Sequence, residues 1–181
     1  TNSRPLVVLP KDTTVLQCEP GEICLPVGIS DIDGNIASVT VDGASYNDYT
    51  GTICLTPTEA GTYPITVTAT DSCGAVGSDQ IVVDVTLNSA PVITYTPSGE
   101  VYKQCAPEEV CVPVGIDDID GNIADITVVG GRYDAETGEV CILPDGTGTF
   151  CAQLAVTDDC GLTATQEICI EVAAGDYVEI A

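Results

Sequence analysis

The chain repeats itself: a second copy lies over the first at a constant offset of 87 residues. Cys18, Cys24, Cys54 and Cys73 recur as Cys105, Cys111, Cys141 and Cys160, and ICLPVGISDIDGNIASVTV at 23 to 41 returns as VCVPVGIDDIDGNIADITV at 110 to 128. A fixed long period with few insertions specifies two copies of one small domain in tandem, 1–87 and 88–181 with a C-terminal tail. Each copy is near the lower end of the domain size range, where one apolar core leaves stability thin and covalent staples are expected.

Ten cysteines in 181 residues, four at matching positions in each copy, read as a disulfide framework in an oxidising, extracellular or cell-surface compartment. Cys151 and Cys169 stand where the first copy has Pro64 and Val82, so the second copy carries one additional pair. Both lie nine residues from Cys160. They face one another if 149 to 157 and 163 to 172 are antiparallel strands joined at Asp159-Cys160-Gly161, which predicts a Cys151–Cys169 bond. Three connectivities remain open for the other four in each copy. The Glu-Pro-Gly-Glu turn between Cys18 and Cys24 favours Cys18 with Cys24 and Cys54 with Cys73, and by repetition Cys105 with Cys111 and Cys141 with Cys160.

With 28 acids against 4 bases, the formal charge of −24 excludes a phosphate-binding surface and opposes attachment to an anionic bilayer. Cations are its natural partners. No apolar run approaches the roughly 20 residues of a membrane-spanning helix, and no signal-peptide pattern is present. Without a single Met, the chain reads most simply as a mature product or an excised fragment.

Strand signals dominate. ICLPVGI (23 to 29), TYPITVTAT (62 to 70), QIVVDVTL (80 to 87), AQLAVT (152 to 157) and EICIEVA (167 to 173) are rich in β-branched residues and alternate apolar with polar. Gly, Pro, Asn and Asp clusters punctuate them, and no segment sustains a helical period. About seven short strands per copy predict an all-β fold: two tandem Ig-like or cadherin-like antiparallel β-sandwich domains. In such a sandwich the B–C and F–G turns share one end. The boundary at Asn88-Ser89-Ala90-Pro91 echoes Asn2-Ser3-Arg4-Pro5, and a linker this short, ending in proline, is no loose tether. The tail AAGDYVEIA puts Val178 and Ile180 on one face of a possible extra strand. That strand, or Leu6-Val7-Val8-Leu9, is a candidate to pair with an open sheet edge on a neighbouring molecule.

Asp31-Ile32-Asp33-Gly34-Asn35 and Asp118-Ile119-Asp120-Gly121-Asn122 carry the chemistry. Asp-x-Asp-Gly-Asn sets hard oxygen ligands on one side of a tight turn, and glycine permits the backbone angles that bring in a carbonyl. Such ligands suit Ca²⁺. The F–G turn offers Asp71 in the first copy and Asp158 in the second, and Asp117 adds a further carboxylate. The candidate metal ligands are therefore Asp31, Asp33, Asn35 and Asp71, then Asp117, Asp118, Asp120, Asn122 and Asp158. Asp-Gly-Asn is also an ordinary turn sequence. The motif is not an EF-hand, because the twelfth positions hold Asp42 and Val129 rather than Glu.

The B strand running into Asp31, Asp33, Gly34 and Asn35, then Gly61-Thr62, Thr68-Ala69-Thr70-Asp71 and Gly74, resembles cadherin-like, PKD-like and HYR-like repeats of large bacterial surface proteins. Asn88-Ser89-Ala90-Pro91 is similar to a cadherin-type linker ending in Ala-Pro. The resemblance spans nearly all of both copies. It implies an Ig-like sandwich, Ca²⁺ near domain junctions, and adhesion or cell-surface architecture. The linker has Asn-Ser where cadherins place further acids, and the cysteine framework is not a cadherin feature.

Enzymatic schemes lack parts. There is no His, the cysteines are better used as disulfides, and neither a Gly-x-Ser-x-Gly nor a zinc-ligand spacing occurs. A sugar cleft would lack stacking platforms, with no Trp and 4% aromatics. Two readings follow. One is a structural subunit or stalk segment of an extracellular fibre or surface assembly, stiffened by disulfides and Ca²⁺ and self-associating or flanked by neighbouring repeats. The other is a Ca²⁺-dependent adhesin fragment that presents loops and a few tyrosines, such as Tyr46, Tyr49, Tyr133 and Tyr177, to a carbohydrate or protein ligand. Poverty in aromatic and Arg anchors favours the first.

Overall fold

A computed structural model describes residues 1–175, and among them every regular element is a β-strand. The chain divides into two compact units, Thr1–Asn88 and Ser89–Ala181. The first contains β1 (Leu6–Val8), β2 (Thr13–Gln17), β3 (Ile23–Pro26), β4 (Gly28–Ser30), β5 (Ile36–Asp42), β6 (Ser45–Asn47), β7 (Thr52–Leu55), β8 (Gly61–Asp71) and β9 (Val76–Leu87). The second repeats the series as β10 (Val92–Thr94), β11 (Val101–Gln104), β12 (Val110–Pro113), β13 (Gly115–Asp117), β14 (Ile123–Val129), β15 (Arg132–Asp134), β16 (Glu139–Ile142), β17 (Gly148–Asp158) and β18 (Thr163–Ala174).

These nine segments are seven strands with two interruptions. The first strand breaks at Pro10, and the second breaks after Pro26, which has no N–H to donate to a ladder. Past that break Val27 N donates to Gly51 O at 2.9 Å, and its counterpart Val114 N donates to Gly138 O at 3.0 Å. Each unit is a sandwich. One layer is β2-β9-β8-β5, with β2 parallel to β9 and the rest antiparallel; the other holds β3-β7-β6 and the β1-β4 pair. The second unit repeats this as β11-β18-β17-β14, β12-β16-β15 and β10-β13.

Strand alternation builds the core. Along β8, Ile65, Val67, Ala69 and Asp71 turn inward, and along β17, Ala152, Leu154, Val156 and Asp158 do the same. Ile53, Ile81 and Val83 complete the centre of the first unit; Val140, Ile168 and Ile170 complete that of the second. The strands read from sequence at 62 to 70, 80 to 87, 152 to 157 and 167 to 173 all fall within β8, β9, β17 and β18.

Cys151 stands opposite Cys169 in the β17–β18 ladder and is bonded to it, with Cα atoms 4.1 Å apart. The favoured pairing of the other cysteines is corrected. Cys24 is bonded to Cys54 and Cys111 to Cys141, because each pair sits directly opposite in an antiparallel ladder, β3–β7 and β12–β16. Cys18 follows β2 in one layer while Cys24 lies on β3 in the other, so closeness in sequence does not make them neighbours in a sheet. Cys18 and Cys160 are also disulfide-bonded, whereas Cys73 and Cys105 are exposed free thiols.

The terminal strands divide into two cases. Leu6–Val8 pairs with β4 inside its own unit, Leu6 opposite Ser30, and does not stand free for a neighbour as expected. The extra strand read at Tyr177 to Ile180 lies outside the described residues.

Proteolysis of the unreduced protein should yield cross-linked peptides holding Cys24 with Cys54, Cys111 with Cys141 and Cys151 with Cys169, and mass spectrometry would reject the fold's register if Cys18 emerged joined to Cys24. Ile81→Ala, which empties a fully buried site, should cost about 2–5 kcal/mol in chemical unfolding. Ile32→Ala, on a side chain 86% exposed, should stay within about 0.5 kcal/mol of wild type.

Candidate cation site at the B–C and F–G turns

The inward row of β8 ends on a charge. Asp71 is only 2% exposed, and its place on the core face follows from the two-residue period that buries Val67 and Ala69. A buried carboxylate must be paired or hydrogen-bonded. Oδ1 accepts from Cys73 N at 2.9 Å and Ala75 N at 2.8 Å, and Oδ2 accepts from the Asn2 side chain at 2.6 Å. These donors, the Asn2 amide first, hold the Asp71 carboxyl below the usual aspartate range against the opposing effect of burial. Asp158 repeats the arrangement, accepting from Cys160 N at 2.9 Å and Leu162 N at 2.8 Å. Each aspartate thus fixes the F–G hairpin, whose Gly74 and Gly161 take φ of 87°.

The B–C turn meets that hairpin, as expected for this sandwich. Ser72 N donates to Asn35 O at 2.9 Å, and Asp159 N donates to Asn122 O at 2.8 Å. Within the turn, Asp31 Oδ1 accepts from Asp33 N and Asp118 Oδ1 from Asp120 N, both at 2.8 Å. Gly34 and Gly121 have φ of 67° and 69°, which a side chain would strain.

The chain entering each unit ties the turns together, a role the sequence reading missed. Asn2 accepts from Asn35 Nδ2 at 3.0 Å while donating to Asp71, and Ser3 N donates to Asp33 Oδ2 at 2.6 Å. In the second unit Ser89 N donates to Asp120 Oδ2 at 2.7 Å. The echo of Asn2-Ser3 in Asn88-Ser89 is the signal for it in the sequence.

The geometry of oxygen atoms decides what the turns can bind. Asp31 Oδ2, Asn35 Oδ1 and Asp118 Oδ2 are buried and accept no hydrogen bond, and Asn122 Oδ1 is buried in the matching place. Leaving such an acceptor unsatisfied costs about 1–3 kcal/mol, more when it is charged. These hard oxygens fit a Ca²⁺ ion. The nine candidates do not converge equally, however. Among the described residues, the groups of three acidic or sulfur atoms within 4.8 Å are Glu22 with Cys24 and Cys54, Glu109 with Cys111 and Cys141, and Glu167 with Cys151 and Cys169. Each is a glutamate beside a disulfide, whose sulfurs are not thiolates and are no metal ligands. Asp31, Asp33 and Asp71 therefore form no carboxylate triad, nor do Asp118, Asp120 and Asp158. An ion held here would draw on Asn oxygens, carbonyls and water as well as carboxylates. Asp117 is exposed on the edge strand β13, opposite Val92.

No protein-family model matches the chain. It is similar to the serine-rich adhesin for platelets of Staphylococcus aureus, being 27% identical over 166 residues in strain N315 and 26% over 166 residues in strain USA300. Each similarity covers 85% of this chain and 7% of the adhesin, so the chain spans less than a tenth of the length of these relatives. Among solved structures it is similar in fold to mouse cadherin-23 EC22-24, with a TM-score of 0.55 at 17% identity over 96% of this chain and 67% of that one. It is likewise similar to protocadherin gammaB7 EC3-6, with a TM-score of 0.56 at 15% identity over 94% and 48% of the two chains. The immunoglobulin domains 1-5 of sidekick-1 give 0.51 at 13% identity over 96% and 40%. The fold is all-β and Ig- or cadherin-like. With its disulfides and its similarity to a bacterial adhesin, the chain is extracellular or at the cell surface.

A depressed carboxyl pKa contributes stability that is full above the unfolded-state value and is lost as pH falls through the folded one, here from about pH 4 downward. Asp71→Asn should lower the thermal midpoint at pH 7 and make the acid limb below about pH 4 shallower. An acid limb identical to that of wild type would remove Asp71 as a source of it.

Proposed function

We propose that the chain is a non-enzymatic structural segment of an extracellular fibre or cell-surface assembly, whose repeats are stapled by disulfides and stiffened by Ca²⁺ at the B–C and F–G turns. The observation that carries the ion is the pair of buried acceptors without donors, Asp31 Oδ2 and Asn35 Oδ1, with Asp118 Oδ2 in the second copy. A divalent cation relieves both the missing hydrogen bonds and part of the repulsion within a chain of formal charge −24. Asp31, Asn35 and a carbonyl of the turn are the first ligands in one repeat, Asp118 and Asn122 in the other, with Asp33, Asp71, Asp120 and Asp158 around them. Flanking repeats or further copies are the partners.

A second reading, a Ca²⁺-dependent adhesin fragment with a carbohydrate or protein ligand, is favoured by the similarity to the staphylococcal protein named as an adhesin for platelets. Under that reading the purified chain stays monomeric and its loops are the binding surface.

Thermal unfolding of the unreduced protein in millimolar Ca²⁺ and in excess chelator tests the ion. Specific binding raises stability by about 2.7 kcal/mol at a hundred times the dissociation constant. Magnesium should not reproduce the shift, and Asp31→Asn with Asp118→Asn should abolish it. Superimposed curves with and without Ca²⁺ would reduce the motif to a turn.

A further inference from the structure

Between β10 and β11 the second unit leaves open a stretch of sheet edge that the first unit covers. In the first unit Asp12 caps the equivalent edge of β9, its Oδ1 accepting from Val82 N at 2.9 Å. Under the 87-residue offset Lys11-Asp12 becomes Ser98-Gly99, so the second copy loses both the capping carboxylate and a base. Gly99 turns with φ of 69°, and nothing lies within 4 Å of where its Cβ would stand. Beside it is a cavity of ≈ 200 Å³.

The walls of that cavity are peculiar to the second copy. Tyr95, Tyr102 and Cys169 line it where the first copy has Val8, Val15 and Val82. Its floor is apolar, with Val112 and Ile170 buried, and the Tyr95 hydroxyl donates to Cys169 O at 3.2 Å. Glu100 and Glu171, both exposed, are its charged residues, and neither has a basic partner among the described residues. Arg132 is engaged instead by Glu109 and Asp134.

Ile170 faces the core and Glu171 faces solvent, so a cavity that touches both opens at the edge of β18 itself. That edge is free of β11, which joins β18 only from Glu171 onward. Gly175 N donates across it to Gln104 O, and strand alternation turns Cys169 N the same way.

We propose that the cavity takes the lysine or arginine side chain of an extended segment of another protein, laid along β18 as an added stretch of strand. The alkyl stem packs on Val112, Ile170 and the tyrosine rings, and the cationic head is drawn to those rings and to Glu100 and Glu171. A backbone carbonyl of the segment takes the Cys169 N–H, as the Asp12 carboxylate does for Val82 in the first copy. A basic partner matches the formal charge of −24, whereas a second copy, with 4 bases against 28 acids, is repelled. Neither Ca²⁺ nor self-association is needed.

Calorimetric titration of the unreduced chain with the capped peptide Thr-Val-Lys-Val-Thr at low ionic strength should show one peptide bound per chain, more weakly as salt is added. Replacing its lysine by norleucine, which keeps the stem and removes the charge, should weaken binding about tenfold or more. Glu100→Gln with Glu171→Gln should do the same at an unchanged thermal midpoint. Glu108→Gln with Glu136→Gln, acids of the same unit outside the cavity, should leave binding within about twofold of wild type. Bound peptide should slow hydrogen exchange at the Cys169 amide. Equal losses from the two acid pairs would reduce the effect to attraction by net charge and overturn the proposal. So would the absence of binding, two peptides per chain, a Cys169 amide left unprotected, or a dimer of the chain that the peptide dissociates.

Discussion

A buried aspartate at the end of an inward-facing row organises each unit. Asp71 and Asp158 occupy core positions because strand alternation puts them there, and a charge in that place persists only when donors surround it. The donors are backbone N–H groups of the next few residues, so the requirement to satisfy the charge dictates the F–G hairpin. Once that hairpin is fixed, Ser72 and Asp159 dock the B–C turn through Asn35 and Asn122. The oxygens left without donors, Asp31 Oδ2, Asn35 Oδ1 and Asp118 Oδ2, follow from the same packing. Core, turn and candidate ion site are thus one arrangement.

Covalent staples act at a different level. Domains of this size bury little apolar surface, and cross-links offset the deficit by restricting the unfolded chain. Cys24–Cys54 and Cys111–Cys141 tie strands that are neighbours in one layer, and Cys151–Cys169 locks the longest ladder of the second unit. A directly opposed disulfide also pins register, since a slip of one residue would turn every core side chain of that strand outward.

Much of this was legible in the residues. The offset of 87 gave two copies, alternation gave β8, β9, β17 and β18, and equal spacing about Cys160 identified the Cys151–Cys169 pair. Those features are local or periodic, and periodicity survives translation into structure. The preference for Cys18 with Cys24 failed because it relied on chain distance, while β2, which Cys18 follows, and β3, which carries Cys24, belong to opposite layers. The sequence makes Leu6-Val7-Val8-Leu9 a candidate to pair with a sheet edge of a neighbouring molecule, and only the sandwich supplies β4 as the partner of Leu6–Val8. Asn2 and Ser3 were invisible as site residues because their hydrogen-bond partners lie 30 or more positions away.

The amino-acid sequence by itself determined the duplication, the all-β character, the acidic surface and the oxygen-rich composition of the turns, since each depends on residue type and spacing alone. Tertiary structure decided which cysteines face one another, which aspartates are consumed as hairpin caps, and which oxygens are left buried without donors. Those outcomes depend on which strands become neighbours, and that is set by layer assignment and register across the whole unit rather than by any stretch of sequence.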